Sequence, residues 1–505
     1  MLAKTTGYVL TGLEGNAVDV EVDTNLGLPA FEIVGLPDAA VKESKERVRS
    51  AVKNSGKKFP VHKITVNLAP AELKKEGAGL DLPIAVGIIA ADGQLGDMKN
   101  SPVMVGELSL DGGIRGINGI LPTLISAREN GVKSVIIPKE NEQEGGYIDG
   151  IDVFVASTLK EVCDFIEGKS ELKKVELKNY ENEAKSGEYD NDLKYVRGQF
   201  VARRALEVAV SGNHNIILEG PPGAGKTMLA KCIPSIMPDM SFAEALETTK
   251  IHSVAGTLKG SEGIVLKRPF MSPHHTASAA SITGGGQSAK PGMVSLAHNG
   301  VLFLDEMPEY PRSVLESLRQ PLEDREITVS RVKANYRYPA NFILVGSMNP
   351  CPCGYYGSKD RECTCSPYQI KRYKEKISGP LLDRMDIRIN VDNVKYDDLA
   401  SGEESESSKQ VRKRVNRTRA VQLERFKDDG ITSNGEMSEK HIKKYCKLSA
   451  EGEDVLRYAF ESLKMSARAR SRILKVARTI ADMELSENIE TNHLLEAISY
   501  RGDDL

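Results

Sequence analysis

The chain has 505 residues, enough for roughly three domains of ordinary size. Its 28% charged and 40% hydrophobic residues are ordinary for a globular protein, and its longest apolar run, Leu82 to Ala91, is about half a membrane span. Membrane, secreted-scaffold and fibrous classes are thereby excluded. The N-terminal MLAKTTGYVL carries no apolar signal segment, which argues for a cytoplasmic protein. A net charge of −3 argues against a protein that coats DNA, but leaves room for one that grips it through a local basic channel. Seven cysteines, four of them within 351–365, suit reduced thiols or a metal site better than a disulfide framework.

In chain order, residues 1–168 mix β-like runs (Ala17–Val22, Ile64–Asn67, Ser134–Pro138) with helical stretches (Ala39–Ser55, Pro83–Ala91), as a compact α/β domain does. Residues 169–192 are charged, poor in large apolar groups and aperiodic, and are expected to be a linker. Alternating strands and helices fill 193–395, a polar break rich in acid and serine spans 396–408, and 409–505 reads as helices only. Within this last part, Lys409–Lys427 is strongly basic, either a solvated face or one turned to phosphates or a neighbouring subunit. Ile473, Leu474, Ala477, Ile480 and Ala481 fall at helical spacing and predict a buried stripe.

Ile216–Glu219 is a short apolar strand leading into Gly220, Pro221, Pro222, Gly223, Ala224, Gly225, Lys226 and Thr227, then a helix-forming run. This is G-x-x-x-x-G-K-T in the setting it requires: backbone N–H groups approach phosphates, Lys226 reaches the β- and γ-phosphates of ATP, and Thr227 ligates Mg²⁺. Val301–Leu304 is a second apolar strand, ending in Asp305 and Glu306. Asp305 is expected to hold Mg²⁺ and Glu306 to polarise the attacking water. A third strand ends at Asn349, either a water-positioning amide or a turn residue before Pro350. Arg384 stands at a helix end in GPLLDRMDI, suited to insertion into a neighbour's site, which requires a head-to-tail ring. Arg468, with Arg470 and Arg472 as rivals, opens the amphipathic helix and can approach a nucleotide from the helical side.

Taken together, Gly220–Thr227, Asp305-Glu306, Asn349, Arg384 and Arg468 resemble the Walker A, Walker B, sensor 1, arginine finger and sensor 2 elements of an AAA+ ATPase. RPFMSPHH (268–275), GGG (284–286), LAHNGVLFLDE (296–306) and NPCPCG (349–354) resemble its magnesium-chelatase-like branch, and most closely the ComM/YifB family, bacterial proteins linked to natural transformation. The resemblance implies an α/β protein in three parts. These are an N-terminal domain like that of Lon protease (the second domain of ribosomal S5), an AAA+ core with a parallel sheet, and a C-terminal helical lid.

Between the second and third strands, a helix (Pro311–Glu323) precedes EITVSRVKANYRYP, which predicts a hairpin with Arg331, Lys333 and Arg337 near its tip. Ser281–Val294, rich in Gly and Ser, is expected to be another insertion. In related ring motors such hairpins enter the pore and track nucleic acid; the alternative is an ordinary surface hairpin. Cys351, Cys353, Cys363 and Cys365 form C-x-C-x9-C-x-C, either a Zn²⁺ clip or four reduced thiols. His274-His275 lacks an acid or cysteine partner nearby and suggests a structural or subunit-interface role. Residues 106–142 follow the Lon pattern, but Gly79 and Leu121 occupy the serine and lysine positions of its dyad, so no peptidase is expected. The resemblance thus implies a Mg²⁺- and ATP-dependent ring, expected to be a hexamer, acting on single-stranded or branched DNA as a helicase or branch migrator. A chelatase-like motor that remodels a partner protein is the alternative, and a Lon-like protease the third.

Overall fold

The computed structural model describes residues 1–96, 98, 101–184, 189–258, 262–286, 289–330, 335–358, 361–394, 405–463 and 465–501. Two compact units emerge: Met1–Ser186 with Phe242–Leu266, and Gly187–Ser241 with Lys267–Leu505.

In the first unit, Glu14–Asn25 alternates buried Val18, Val20 and Val22 with charged residues, the period of a strand with one covered face. It pairs with Leu2–Thr11 on one side and Lys63–Ala69 on the other, and Ala30–Val34 completes a four-stranded sheet. The wholly buried helix Asp81–Ala91 covers this sheet so closely that a Cβ on Gly87 would stand 2.8 Å from Val22. A second sheet runs in the order Lys173–Lys174, Asp152–Ala156, Ser134–Pro138, Val103–Met104. Part of the expected linker therefore supplies an edge strand, which the charge of Lys173 and Lys174 suits.

The helix Phe242–Ala255 lies inside the expected 193–395 span, yet it packs in the first unit. The Ser253 hydroxyl accepts from Gly119 N at 3.1 Å and donates to the buried Glu144 carboxylate at 2.6 Å. Burial pushes the Glu144 carboxyl up, against the pull of Ser253 and Asn141.

The second unit is built on five parallel strands. Numbered in chain order, Ile216–Glu219, Phe270–Met271, Val301–Leu304, Ile343–Met348 and Ile387–Asn390 stand side by side as 5-1-4-3-2. The apolar residues of the three central strands are buried on both faces, as a parallel sheet requires. Glu219 lies opposite both Met348 and Asn390, so the loops that leave these strands emerge along one edge.

The expected helix over Pro311–Glu323 is two short ones, Arg312–Ser317 and Arg319–Asp324. Pro321 has no N–H to continue a helix through Leu318, but is tolerated in the first turn of a new one. The expected hairpin is present: Glu326–Ser330 pairs with Asn335–Pro339, with Ile327 opposite Tyr338 and Val329 opposite Tyr336. A smaller hairpin, Gly284–Gly285 with Lys290–Pro291, forms in the Gly/Ser-rich insertion.

The C-terminal part is helical. Ala467–Met483 begins at Ser466, whose hydroxyl accepts from Ala469 N, and it buries Ile473, Leu474, Ala477, Ile480 and Ala481. The basic helix Ser408–Arg425 spends much of its charge inside the unit. Arg414 grips Glu207 and Glu406, Arg425 grips the fully buried Asp482, and the Arg417 guanidinium donates to Met483 O. Helices and sheet are joined by a buried polar latch. Asp386, 5% exposed, is ion-paired with Arg472 and accepts from Asn215 N at 2.9 Å. Arg472 also donates to Arg384 O at 3.1 Å, and His214 Nε2 meets the Thr479 hydroxyl at 2.8 Å. Among the described residues, no helix is long and apolar enough to cross a membrane.

Candidate functional site

The edge of the parallel sheet gathers the sequence-predicted residues into one group. Gly220 follows the Ile216–Glu219 strand, where any Cβ would meet Val391 O at 2.1 Å. Gly223 and Gly225 take φ of +83° and +88° with open space where a Cβ would stand, so the loop can curl without walling off its hollow. Pro221 and Ala224 face inward, while Pro222 is exposed. Lys226 and Thr227 then open the helix Lys226–Ile236, whose first N–H groups and dipole favour an anion.

Lys226, only 9% exposed, donates to Gly220 O at 2.7 Å, Pro221 O at 2.8 Å and Asn349 Oδ1 at 3.2 Å. Burial lowers its pKa, and the carboxylates of Asp305, Glu306 and Glu219 work the other way. The Thr227 hydroxyl donates to Asp305 Oδ2 at 3.0 Å. A threonine hydroxyl beside a carboxylate at the mouth of an anion-binding loop is the hard-oxygen set that suits Mg²⁺. Glu306 is exposed and takes a left-handed φ of +51°, a strained setting for a non-glycine residue.

Ser347 was not foreseen. Its hydroxyl donates to Asp305 and accepts from Glu306 N at 3.0 Å, fixing both acids from the neighbouring strand. Gln199 was missed as well: its amide donates to Ala224 O at 3.2 Å and Asp392 O at 2.6 Å, holding the loop from behind. One serine in a buried strand and one glutamine before a helix carry no pattern by which a sequence reveals them.

The arginines form another group. Arg384, 7% exposed, is ion-paired with Glu323 and donates to Pro380 O at 2.7 Å. Arg384 foremost, with Arg468 and Arg472 contributing, holds the Glu323 carboxyl below its ordinary value, so the three cations share one neighbourhood. Arg468 is exposed, whereas Arg472 is committed to the Asp386 latch and Arg470 lies 3.8 Å from Glu453.

Of the hairpin cations, Arg331 and Lys333 lie outside the described residues. Arg337 is exposed, opposite Thr328 midway along the return strand rather than near the tip, and 3.8 Å from Glu326. The four cysteines converge, with all Sγ atoms within 4.8 Å of one another. The His274 and His275 rings lie 4.1 Å apart between centres with their planes tilted by 34°, and His275 meets Tyr310 edge-on. At the dyad positions of the first unit, Gly79 offers no side chain, and Leu121 is fully buried with its N–H donating to Glu144.

A parallel sheet in the order 5-1-4-3-2, with a glycine-rich loop, an Asp-Glu strand end and an asparagine after the neighbouring strand along one edge, defines the AAA+ class. Family comparison agrees over nearly the whole chain. Residues 20–141 match the model for subunit ChlI of Mg-chelatase, 192–399 that for magnesium chelatase subunit ChlI, and 405–501 its C-terminal part. The chain is 42% identical over 501 residues to the competence protein ComM of Haemophilus influenzae, covering 97% of this chain and 96% of that one. It is 43% identical over 498 residues to the protein YifB of Escherichia coli, covering 98% and 96%. The chain therefore belongs to the ComM/YifB family of magnesium-chelatase-like AAA+ proteins. Lon protease 2 of Bacillus subtilis shares 34% identity over 126 residues, 25% of this chain and 22% of that one.

Proposed function

We propose that the chain is a Mg²⁺-dependent ATP hydrolase that assembles into a ring, a hexamer, and acts on single-stranded or branched DNA as a helicase or branch migrator in the cytoplasm. The observation that carries the hydrolase reading is the join at the sheet edge: Thr227 to Asp305 at 3.0 Å beside Lys226 to Asn349 at 3.2 Å. Three separate motifs thereby meet around one anion-binding loop.

Each residue then has a task. Backbone N–H groups of Gly220–Thr227 cradle the phosphates, and Lys226 leaves its carbonyl partners for the β- and γ-oxygens. Thr227 and Asp305 would hold Mg²⁺, whose charge offsets that of the triphosphate. Glu306, exposed and held in place by Ser347, orients and polarises the attacking water, and Asn349 steadies it. Arg384 serves the nucleotide of the next subunit, and Arg468, which shares the neighbourhood of Glu323, approaches a nucleotide from the helical side.

The competence protein among the relatives supports DNA as the substrate, within natural transformation and recombination. The exposed Arg337, on the return strand of the hairpin, supports it too. The test is steady-state ATP hydrolysis with and without single-stranded DNA at two salt concentrations. Stimulation by DNA that fades as salt rises is the expected result. A rate indifferent to DNA would overturn the substrate and turn attention to the alternative, a chelatase-like motor that remodels a partner protein.

A further inference from the structure

The four cysteines carry more than a resemblance does. Cys351 Sγ lies 3.3 Å from Cys353 Sγ and 3.6 Å from Cys363 Sγ, and Cys353 Sγ lies 3.6 Å from Cys363 Sγ. Zn–S bonds of about 2.3 Å at tetrahedral angles place ligand sulfurs about 3.8 Å apart. The four thiols thus already occupy the corners of a single-metal site. They are too far apart to be disulfides, whose sulfurs are about 2.05 Å apart, and too close to enclose an iron–sulfur cluster. Backbone N–H groups point at the sulfurs as they do in metal knuckles: Tyr356 N to Cys351 at 3.3 Å, Cys353 N to Cys365 at 3.4 Å, and Cys365 N to Cys363 at 3.4 Å.

The position of the cluster is as informative as its shape. Cys351 is fully buried and separated from Asn349 only by Pro350, whose ring fixes one backbone torsion of the tether. Three residues further on, Gly354 takes φ of +86° and runs so close to the phosphate loop that a Cβ there would stand 2.5 Å from Pro222 Cδ. The loop bearing the first two thiols therefore begins at the sensor amide and rests on the nucleotide-binding loop.

We propose that Cys351, Cys353, Cys363 and Cys365 bind one Zn²⁺ as a structural tetrathiolate site, and that this clip holds Asn349 and braces Gly354 against Pro222 of the phosphate loop. The metal site stands by itself, while its effect on hydrolysis rests on the nucleotide-site reading above. The cysteines are positioning residues: removing the metal leaves Lys226, Asp305 and Glu306 in place but loosens the sensor. A displacement of about 1 Å at such a distance from the chemistry costs up to about a hundredfold in rate.

The test uses the full-length chain purified under reducing conditions from zinc-supplemented medium. Metal analysis is expected to give one zinc per chain, lost in both Cys363→Ser and Cys365→Ser. Replacement by Co²⁺ is expected to give the visible absorption of tetrahedral cobalt and thiolate charge transfer, signatures that a fold without the site cannot produce. Stripping the wild-type metal with a thiol reagent and chelator avoids dependence on how the variants fold. It is expected to lower kcat tenfold to a hundredfold with the KM for ATP little changed, and restored thiols plus zinc are expected to recover it. Iron in place of zinc, no bound metal, or metal retained by both serine variants would overturn the site. Zinc lost with kcat unchanged would overturn the brace. Zinc bound by a chain that hydrolyses no ATP would overturn the nucleotide-site reading and the brace together, leaving the metal site standing.

Discussion

Asp386→Ala tests whether the latch beneath the arginine group holds the second unit together. The carboxylate is 5% exposed, paired with Arg472, hydrogen-bonded to Asn215 N at 2.9 Å and 3.8 Å from His214. Removing it strands a guanidinium and a buried N–H. Breaking one side of a buried pair costs about 3–5 kcal/mol, and because Arg472 is 23% exposed and can turn to water, the lower end applies, about 3 kcal/mol. At roughly 2 °C per kcal/mol, the low end of the scale for a body this large, the melting temperature by calorimetry is expected to fall by about 6 °C. The pH dependence fixes the sign. Burial alone would raise the Asp386 pKa from its ordinary 3.8, but Arg472 and His214 overcome it and hold the carboxyl far below. Its stabilisation is therefore fully present above the unfolded value and lost only as pH falls below it. The gap between wild type and variant should stay constant from pH 8 to about 5 and narrow towards 4. A melting temperature within about 2 °C of wild type at pH 7, less than a single kcal/mol, would refute the reasoning.

Lys226→Ala removes the one cation inside the phosphate loop and is expected to abolish hydrolysis and weaken ATP binding, measured by equilibrium titration with a fluorescent analogue. Glu306→Gln keeps the shape but not the base, so it should bind ATP while turning it over at least about a hundredfold more slowly in single-turnover assays. Arg384→Ala subunits should bind ATP without hydrolysing it, and mixing them with Lys226→Ala subunits should restore activity; no recovery would sink the trans assignment. Glu323→Gln frees Arg384 from an exposed partner, so hydrolysis should hold or rise, at less than about 1 kcal/mol of stability; a loss as deep as that of Arg384→Ala would show that the pair itself is required.

What was legible in the sequence is what local chemistry dictates. Ile216–Leu218 and Val301–Leu304 are apolar because both faces of a parallel sheet are covered, and Glu219, Asp305 and Glu306 at their ends are polar because they meet the edge. Gly223 and Gly225 announced a loop open to an anion, which their left-handed backbone allows, and Ile473 to Ala481 announced their stripe. Pairings between distant segments did not show. Ser347 acts on Asp305 and Glu306 only because its strand lies beside theirs. The basic helix Ser408–Arg425 invited a reading of outward charge, but Arg414 and Arg425 answer carboxylates far along the chain, at Glu207 and Asp482. The helix Phe242–Ala255 carries nothing in its composition to say which unit it will join.

That last helix constrains how the protein can be cut. A fragment ending at residue 186 omits the segment that lines Ile120–Glu129, and takes from Glu144 the Ser253 hydroxyl it accepts from. A fragment starting at 187 retains Phe242–Ala255 but strips the cover from Ala245, Thr248, Thr249 and Ile251. Neither piece is a natural cassette. A Lon-related fold whose last helix is borrowed from within another unit's sequence can be isolated whole only by joining two separate stretches of chain, 1–186 and 242–266.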